Sequence, residues 1–99
     1  MPDLPDFGFA PPPFDVAGAL AQIKRALRDL GLAERGPGFE LRGKRVAELR
    51  LEGTAIAAKL ARKLALTPEW DHRQIASAVE QRKFVDELRR RLERWEREE

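Results

Sequence analysis

Cysteine, tyrosine and asparagine are missing from this 99-residue chain; serine occurs once (Ser77), histidine once (His72), and methionine only as Met1. Without cysteine there is no disulfide framework, no thiol nucleophile and no thiolate zinc site. No apolar run approaches the roughly 20 residues that a membrane span needs. The N-terminus lacks a basic stretch followed by an apolar one, so no signal peptide is visible, and a cytoplasmic chain is expected. Scarce Met and Gln, no Asn and dense charge of both signs match proteins of hot-growing organisms. A GC-rich genome also favours the observed excess of arginine over lysine, fourteen to five.

Catalytic chemistry has little to draw on. Ser77 begins "SAVE", a capping box that explains it as a helix start rather than a nucleophile. The segment "EWDH" sets Glu69, Asp71 and His72 side by side, a carboxylate–imidazole grouping. One histidine with neighbouring acids nevertheless matches no zinc or two-metal spacing. Gly-rich phosphate loops and nucleophile elbows are absent. The residues therefore point to a non-enzymatic protein with no catalytic, cofactor or metal site.

What is present is charge, 36% of the residues, with 42% hydrophobic. That balance describes one small globular α+β unit near the lower size limit for a single core. The net charge of +2 is unevenly spread. Residues 39–66 carry seven basic and three acidic side chains, or +4; residues 1–38 and 67–79 carry −1 each, and 80–99 are balanced.

Residues 1–14 hold five of the seven prolines and read as an extended arm, with Phe7, Phe9 and Phe14 able to strap it to a core. A first helix over 15–31 follows from Asp15 as N-cap and from Val16, Leu20, Ile23, Leu27 and Leu30 at helical spacing. Gly31 stands at the left-handed C′ position, and "AERGPG" reads as the loop beyond it. A C-terminal helix over about 77–97 places Val85, Leu88, Leu92 and Trp95 on one stripe. Asp86–Arg90, Glu87–Arg91 and Glu93–Arg97 are its i,i+4 pairs, and "RRR" at 89–91 reads as a solvated face.

Between the helices, "GFELRGKRVAELRLEGTAIAAKLARKLAL" fits either a helix or a hairpin. The helical stripe Val46, Leu49, Gly53, Ile56, Leu60, Leu64 puts glycine mid-helix, at about 1 kcal/mol relative to alanine. The strand pattern is cleaner. Phe39, Leu41, Ala47, Leu49 and Leu51 are odd-numbered and apolar between charged even neighbours, with Val46 the exception. After Gly53 the parity inverts to Ile56, Ala58, Leu60, Leu64 and Leu66. A two-residue turn at Glu52-Gly53 would pair Leu49 with Ile56 and Ala47 with Ala58. The expectation is a hairpin over 39–66, or a three-strand meander if "RGK" at 42–44 adds a turn.

In that hairpin Arg42, Lys44, Arg50, Lys59 and Lys63 share the face away from the core, a candidate nucleic-acid or anion face. Glu48 and Glu52 interrupt it, and no aromatic is expected on it for bases to stack on. Trp70 and Trp95 suggest protein contact instead, since tryptophan is enriched at interface hot spots. A sheet of this size also leaves an edge strand to pair. The reading favoured is a small protein–protein interaction module that forms a homodimer and docks on a protein partner. A nucleic-acid-binding domain is the alternative. Neither reading involves a membrane.

Overall fold

A computed structural model describes residues 13–98. Two helices, α1 (Val16–Asp29) and α2 (Ala78–Glu98), enclose in sequence five strands: β1 (Ala33–Arg35), β2 (Gly38–Leu41), β3 (Lys44–Glu52), β4 (Ala55–Ala61) and β5 (Trp70–Ile75). The strands form one antiparallel sheet in the order β1-β2-β3-β4-β5. Both helices pack on the same face of this meander; the other face is open. No helix among the described residues is long and apolar enough to cross a membrane.

Helix α1 starts where Asp15 Oδ1 accepts the Gly18 N–H at 3.1 Å. It ends in a Schellman motif: Gly31, at φ +93°, donates to the Arg28 carbonyl, and Leu32 donates back to Leu27. That reversal buries Leu32 beneath the turn. Ile23 and Leu27 lie fully buried against Phe39, Val46, Leu49, Ile56 and Leu60 of the sheet, and against Phe84 and Leu88 of α2. Of the N-terminal strap, Phe14 packs at the core margin; Phe7 and Phe9 lie outside the described residues.

The central hairpin forms, with its turn one residue later than expected. Glu52 pairs with Ala55, so the loop is Gly53-Thr54, and Leu49 faces Ala58 while Ala47 faces Leu60. Moving the turn centre by one residue shifts the register by two. A strand repeats every two residues, so the same side chains still face the core. Gly53, at φ +65°, is the first loop residue; Thr54 is not left-handed, the pattern of a type II′ turn.

The sheet is larger than a hairpin or three-strand meander. "AERGPG" is not a loop: Ala33–Arg35 pair with β2 across a Gly36-Pro37 turn. Trp70–Ile75 pair with β4 from Ala61↔Trp70 to Ile56↔Ile75, so "WDHRQI" is a fifth strand outside the expected hairpin or meander. Helix α2 then begins at the expected box: Glu80 N–H donates to Ser77 Oγ at 3.2 Å, while Glu80 Oε1 accepts from Ala76 N–H at 2.7 Å.

One irregularity redirects side chains. The β2–β3 register changes between Phe39↔Ala47 and Glu40↔Arg45, leaving Val46 as an extra residue. This β-bulge explains the single break in the alternation, because Val46 and Ala47 both enter the core. It also inverts the parity of the residues before it. Lys44 turns to the helix side, opposite Leu41, and Arg45 turns to the open side, opposite Glu40.

Candidate functional site: the open sheet face and its free edge

Strand alternation places Arg35, Gly38, Glu40, Arg45, Glu48, Arg50, Glu52, Lys59, Trp70, His72 and Gln74 on the open face. Its charges answer one another. Arg45 lies between Glu48 (3.1 Å) and Glu40 (3.9 Å), Arg50 meets Glu52 at 2.9 Å, and Lys59 meets Glu48 at 3.5 Å. Arg35 approaches Glu40 at 3.8 Å. Four cations against three carboxylates leave a net of +1, so the face is a lattice of ion pairs and not a cationic platform.

Of the five basic residues expected together, the structure unites only Arg50 and Lys59. Lys44 leaves through the bulge, and Lys63 lies beyond the end of β4 in the connection to β5. Arg42 occupies the β2–β3 turn with φ +54°, an uncommon left-handed conformation for a residue with a Cβ.

Trp70 corrects the expectation that no aromatic lies on this face. It stands opposite Ala61, which is completely buried, and Lys59 Nζ sits 5.7 Å from its ring centroid, within cation–π range. Between Lys59, His72, Gln74 and Arg50 a depression of about 650 Å³ opens over the small side chain of Ala57. Trp95, the other expected contact, is only 3% exposed and belongs to the core, so the end of α2 presents no free indole.

The "EWDH" segment is pulled apart by its own strand. His72 points to the open side and Asp71 to the helix side, so the neighbouring carboxylate and imidazole face away from each other. Asp71 instead joins a network tying α2 to the sheet. Arg62 Nε reaches it at 2.8 Å, and Arg91 Nη2 at 2.8 Å while Nη1 donates to the Ala61 carbonyl. Arg91 also holds Glu87, which Arg73 grips with two nitrogens at 3.0 and 3.2 Å. The Arg62 hydrogen bond, with Arg91 adding to it, holds the Asp71 carboxyl below its usual range. Burial pushes Glu87 the other way, but Arg73 and Arg91 outweigh it and its pKa is lowered as well. Arg91 is thus a partly buried tie and not part of a solvated "RRR" face. Asp86 pairs with Arg89 rather than Arg90. Among the described residues, no group of three or more His, Asp or Glu side chains is placed to hold a metal ion.

Among the described residues, β5 is an edge strand with no partner on its outer side. The Arg62 N–H donates to the Glu69 carbonyl, which fixes the phase of the β4–β5 ladder. Hydrogen-bonded pairs alternate in an antiparallel ladder, so residues 71, 73 and 75 bond to β4. The backbone N–H and C=O of Trp70, His72 and Gln74 therefore point outward. Of these groups, the His72 carbonyl accepts from Arg73 Nη1 at 2.8 Å. The opposite edge, β1, has three residues and runs into Pro37. A six-residue edge strand with no proline and no bulge is a template for another strand.

Sequence reading missed His72 and Gln74 as edge residues because "WDHRQI" shows no apolar alternation. One signal was available: Asp71-His72-Arg73 is a charge palindrome, complementary to itself when read antiparallel. The architecture is a two-layer α+β domain with an open-faced five-stranded sheet. Set against known proteins, the chain matches no protein-family model, no curated protein and no solved structure.

Proposed function

We propose that this protein is a non-catalytic interaction module that assembles through β5, with a second copy of itself as the first partner. The observation that carries this reading is the outward-facing backbone of Trp70, His72 and Gln74, which no strand among the described residues pairs and of which the His72 carbonyl is held by the Arg73 side chain. Two such edges related by a two-fold axis at His72 place Trp70 opposite the partner's Gln74 and Asp71 opposite the partner's Arg73. A slip to either neighbouring register that keeps the hydrogen bonds sets Asp71 against Asp71 or Arg73 against Arg73. Like charges directly opposite are destabilising, so the charge pattern selects one register. The product is a continuous ten-stranded sheet with both helical layers on one side. Its open face remains available for a protein partner.

Light scattering on the eluting protein tests the assembly. The expected species has about twice the 11.3 kDa chain mass. His72→Pro removes only an outward N–H and leaves the β4 ladder intact, as edge positions permit. It should return the protein to monomer with unchanged far-ultraviolet circular dichroism. A wild-type monomer at high micromolar concentration overturns the reading.

Nucleic-acid binding on the open face is the second reading, and Trp70 favours it by supplying a stacking surface beside Lys59. Its paired charges weigh against it. Quenching of Trp70 fluorescence by single-stranded oligonucleotides, lost in Trp70→Ala and weakened by salt, would support it. No quenching at low salt would end it.

A further inference from the structure

At the end of the sheet under the last turns of α2 lies a cleft of about 460 Å³, lined by Lys44, Arg62, Lys63, Arg94, Trp95 and Glu98 with Leu64. Four of these side chains are cationic and one is acidic. The volume is in the range of small-molecule sites.

The cations are unequally committed. Arg62 is taken by Asp71 at 2.8 Å, with Glu69 at 3.7 Å. Arg94 donates to the Arg62 carbonyl at 3.3 Å and reaches Glu98 only at 3.9 Å. Lys44 and Lys63 have no hydrogen bond or ion pair among the described residues. Lys44 is nonetheless half-buried, an arrangement that calls for an anion. Trp95 forms part of the wall, but its indole nitrogen is itself shielded from solvent, with no hydrogen-bond partner among the described residues, so it lies behind the cleft surface.

The bulge at Val46 accounts for this assembly. Without the extra residue, the strand period would carry Lys44 to the open face and bring Arg45 here. The geometry points to an anion-binding site in this cleft for the phosphate group of a small phosphorylated molecule. Lys44 and Lys63 serve as point charges, and Arg94 is the directional donor. Phosphate suits the set because its oxygens accept from several directions at once, where a carboxylate accepts in one plane. No β5 residue lines the cleft, although Arg62 of the cleft pairs with Asp71, and the outward backbone of Trp70, His72 and Gln74 takes no part in it, so it is tested separately from the assembly proposed there.

Calorimetric titration of the whole protein with inorganic phosphate and with pyrophosphate, at constant ionic strength, is the test. Saturable one-to-one binding is expected, tightest for pyrophosphate. Lys44→Ala/Lys63→Ala, which removes two of the cleft's four cations, should weaken it by about tenfold or more. Arg50→Ala/Lys59→Ala on the open face should leave affinity within about twofold. Absence of saturation by about 10 mM of either anion overturns the proposal, as does a Lys44/Lys63 double variant that binds like the parent. Strong salt-dependent binding of an oligonucleotide without saturable pyrophosphate binding also overturns it, in favour of a polymer backbone.

Discussion

Arg91 is the residue whose removal most directly tests how α2 is tied to the sheet. Its side chain is 13% exposed and touches three acceptors on three elements: the Ala61 carbonyl of β4, Asp71 of β5 and Glu87 of α2. Arg91→Met keeps most of the aliphatic stem and deletes the fork. Hydrogen bonds to charged groups are worth about 1.5–3 kcal/mol each, but both carboxylates retain a second arginine, Arg62 for Asp71 and Arg73 for Glu87. The acceptors are 22% and 25% exposed, so water partly replaces the lost donor. A cost of about 2 kcal/mol follows, between the 0.2–1 of an exposed pair and the 3–5 of a fully buried one. For a chain of this length that lowers Tm by roughly 10 °C. Arg89→Met, which breaks one pair at a side chain 51% exposed, is the matched control and should cost under about 0.5 kcal/mol. Urea unfolding followed by circular dichroism measures both. If Arg91→Met is as stable as Arg89→Met, the network is ornament and the reasoning fails.

The same network predicts an acid response. Asp71 and Glu87 are both held below their ordinary values of 3.8 and 4.5, so each favours the folded state while ionised. That contribution is complete above about pH 5 and is lost as pH falls through the lowered folded values. Urea midpoints should be flat from neutrality to about pH 5 and then decline, and Asp71→Asn should flatten the decline; an unaltered slope in the variant contradicts this. Gly53→Ala forces a Cβ into a left-handed turn position and should cost about 1–2 kcal/mol, whereas Thr54→Ala at the neighbouring loop residue should change the midpoint little. Equal effects of the two would show that the turn geometry is misassigned.

The hairpin was readable because residues 47–60 keep a period of two that reverses at Gly53. Two facing strands sharing one buried side must produce that reversal. The reversal locates the turn only to within one residue, since shifting its centre by one leaves every side chain on its side, and the register came out two residues away. Both edge strands were invisible for a common reason. The inner faces of both carry charge: in β1, Glu34 meets Lys24 and Arg28 of α1. In β5 its inner face meets guanidinium and carboxylate groups of α2, so Asp71 and Arg73 stand where apolar residues would have announced a strand.

The cationic cluster illustrates a different boundary. Composition located the surplus of positive charge in residues 39–66, and the alternation assigned Lys44 to the open face along with Arg50 and Lys59. A single bulged residue moved Lys44 through the sheet and put Arg45 in its place among Glu40 and Glu48.

Local chemistry thus settled what depends on neighbours a few residues away. The Asp15 and Ser77 helix starts, the Gly31 stop and the reversal near Gly53 are of this kind, because caps and turns are decided by short-range hydrogen bonds and backbone sterics. Only the folded chain decided which charges meet: whether Trp70 stands beside Lys59, whether Arg91 reaches Asp71, whether Lys44 looks into a cleft. Those outcomes depend on strand register and on which helix crosses which strand. Such long-range geometry leaves almost no trace in the order of residues along the chain.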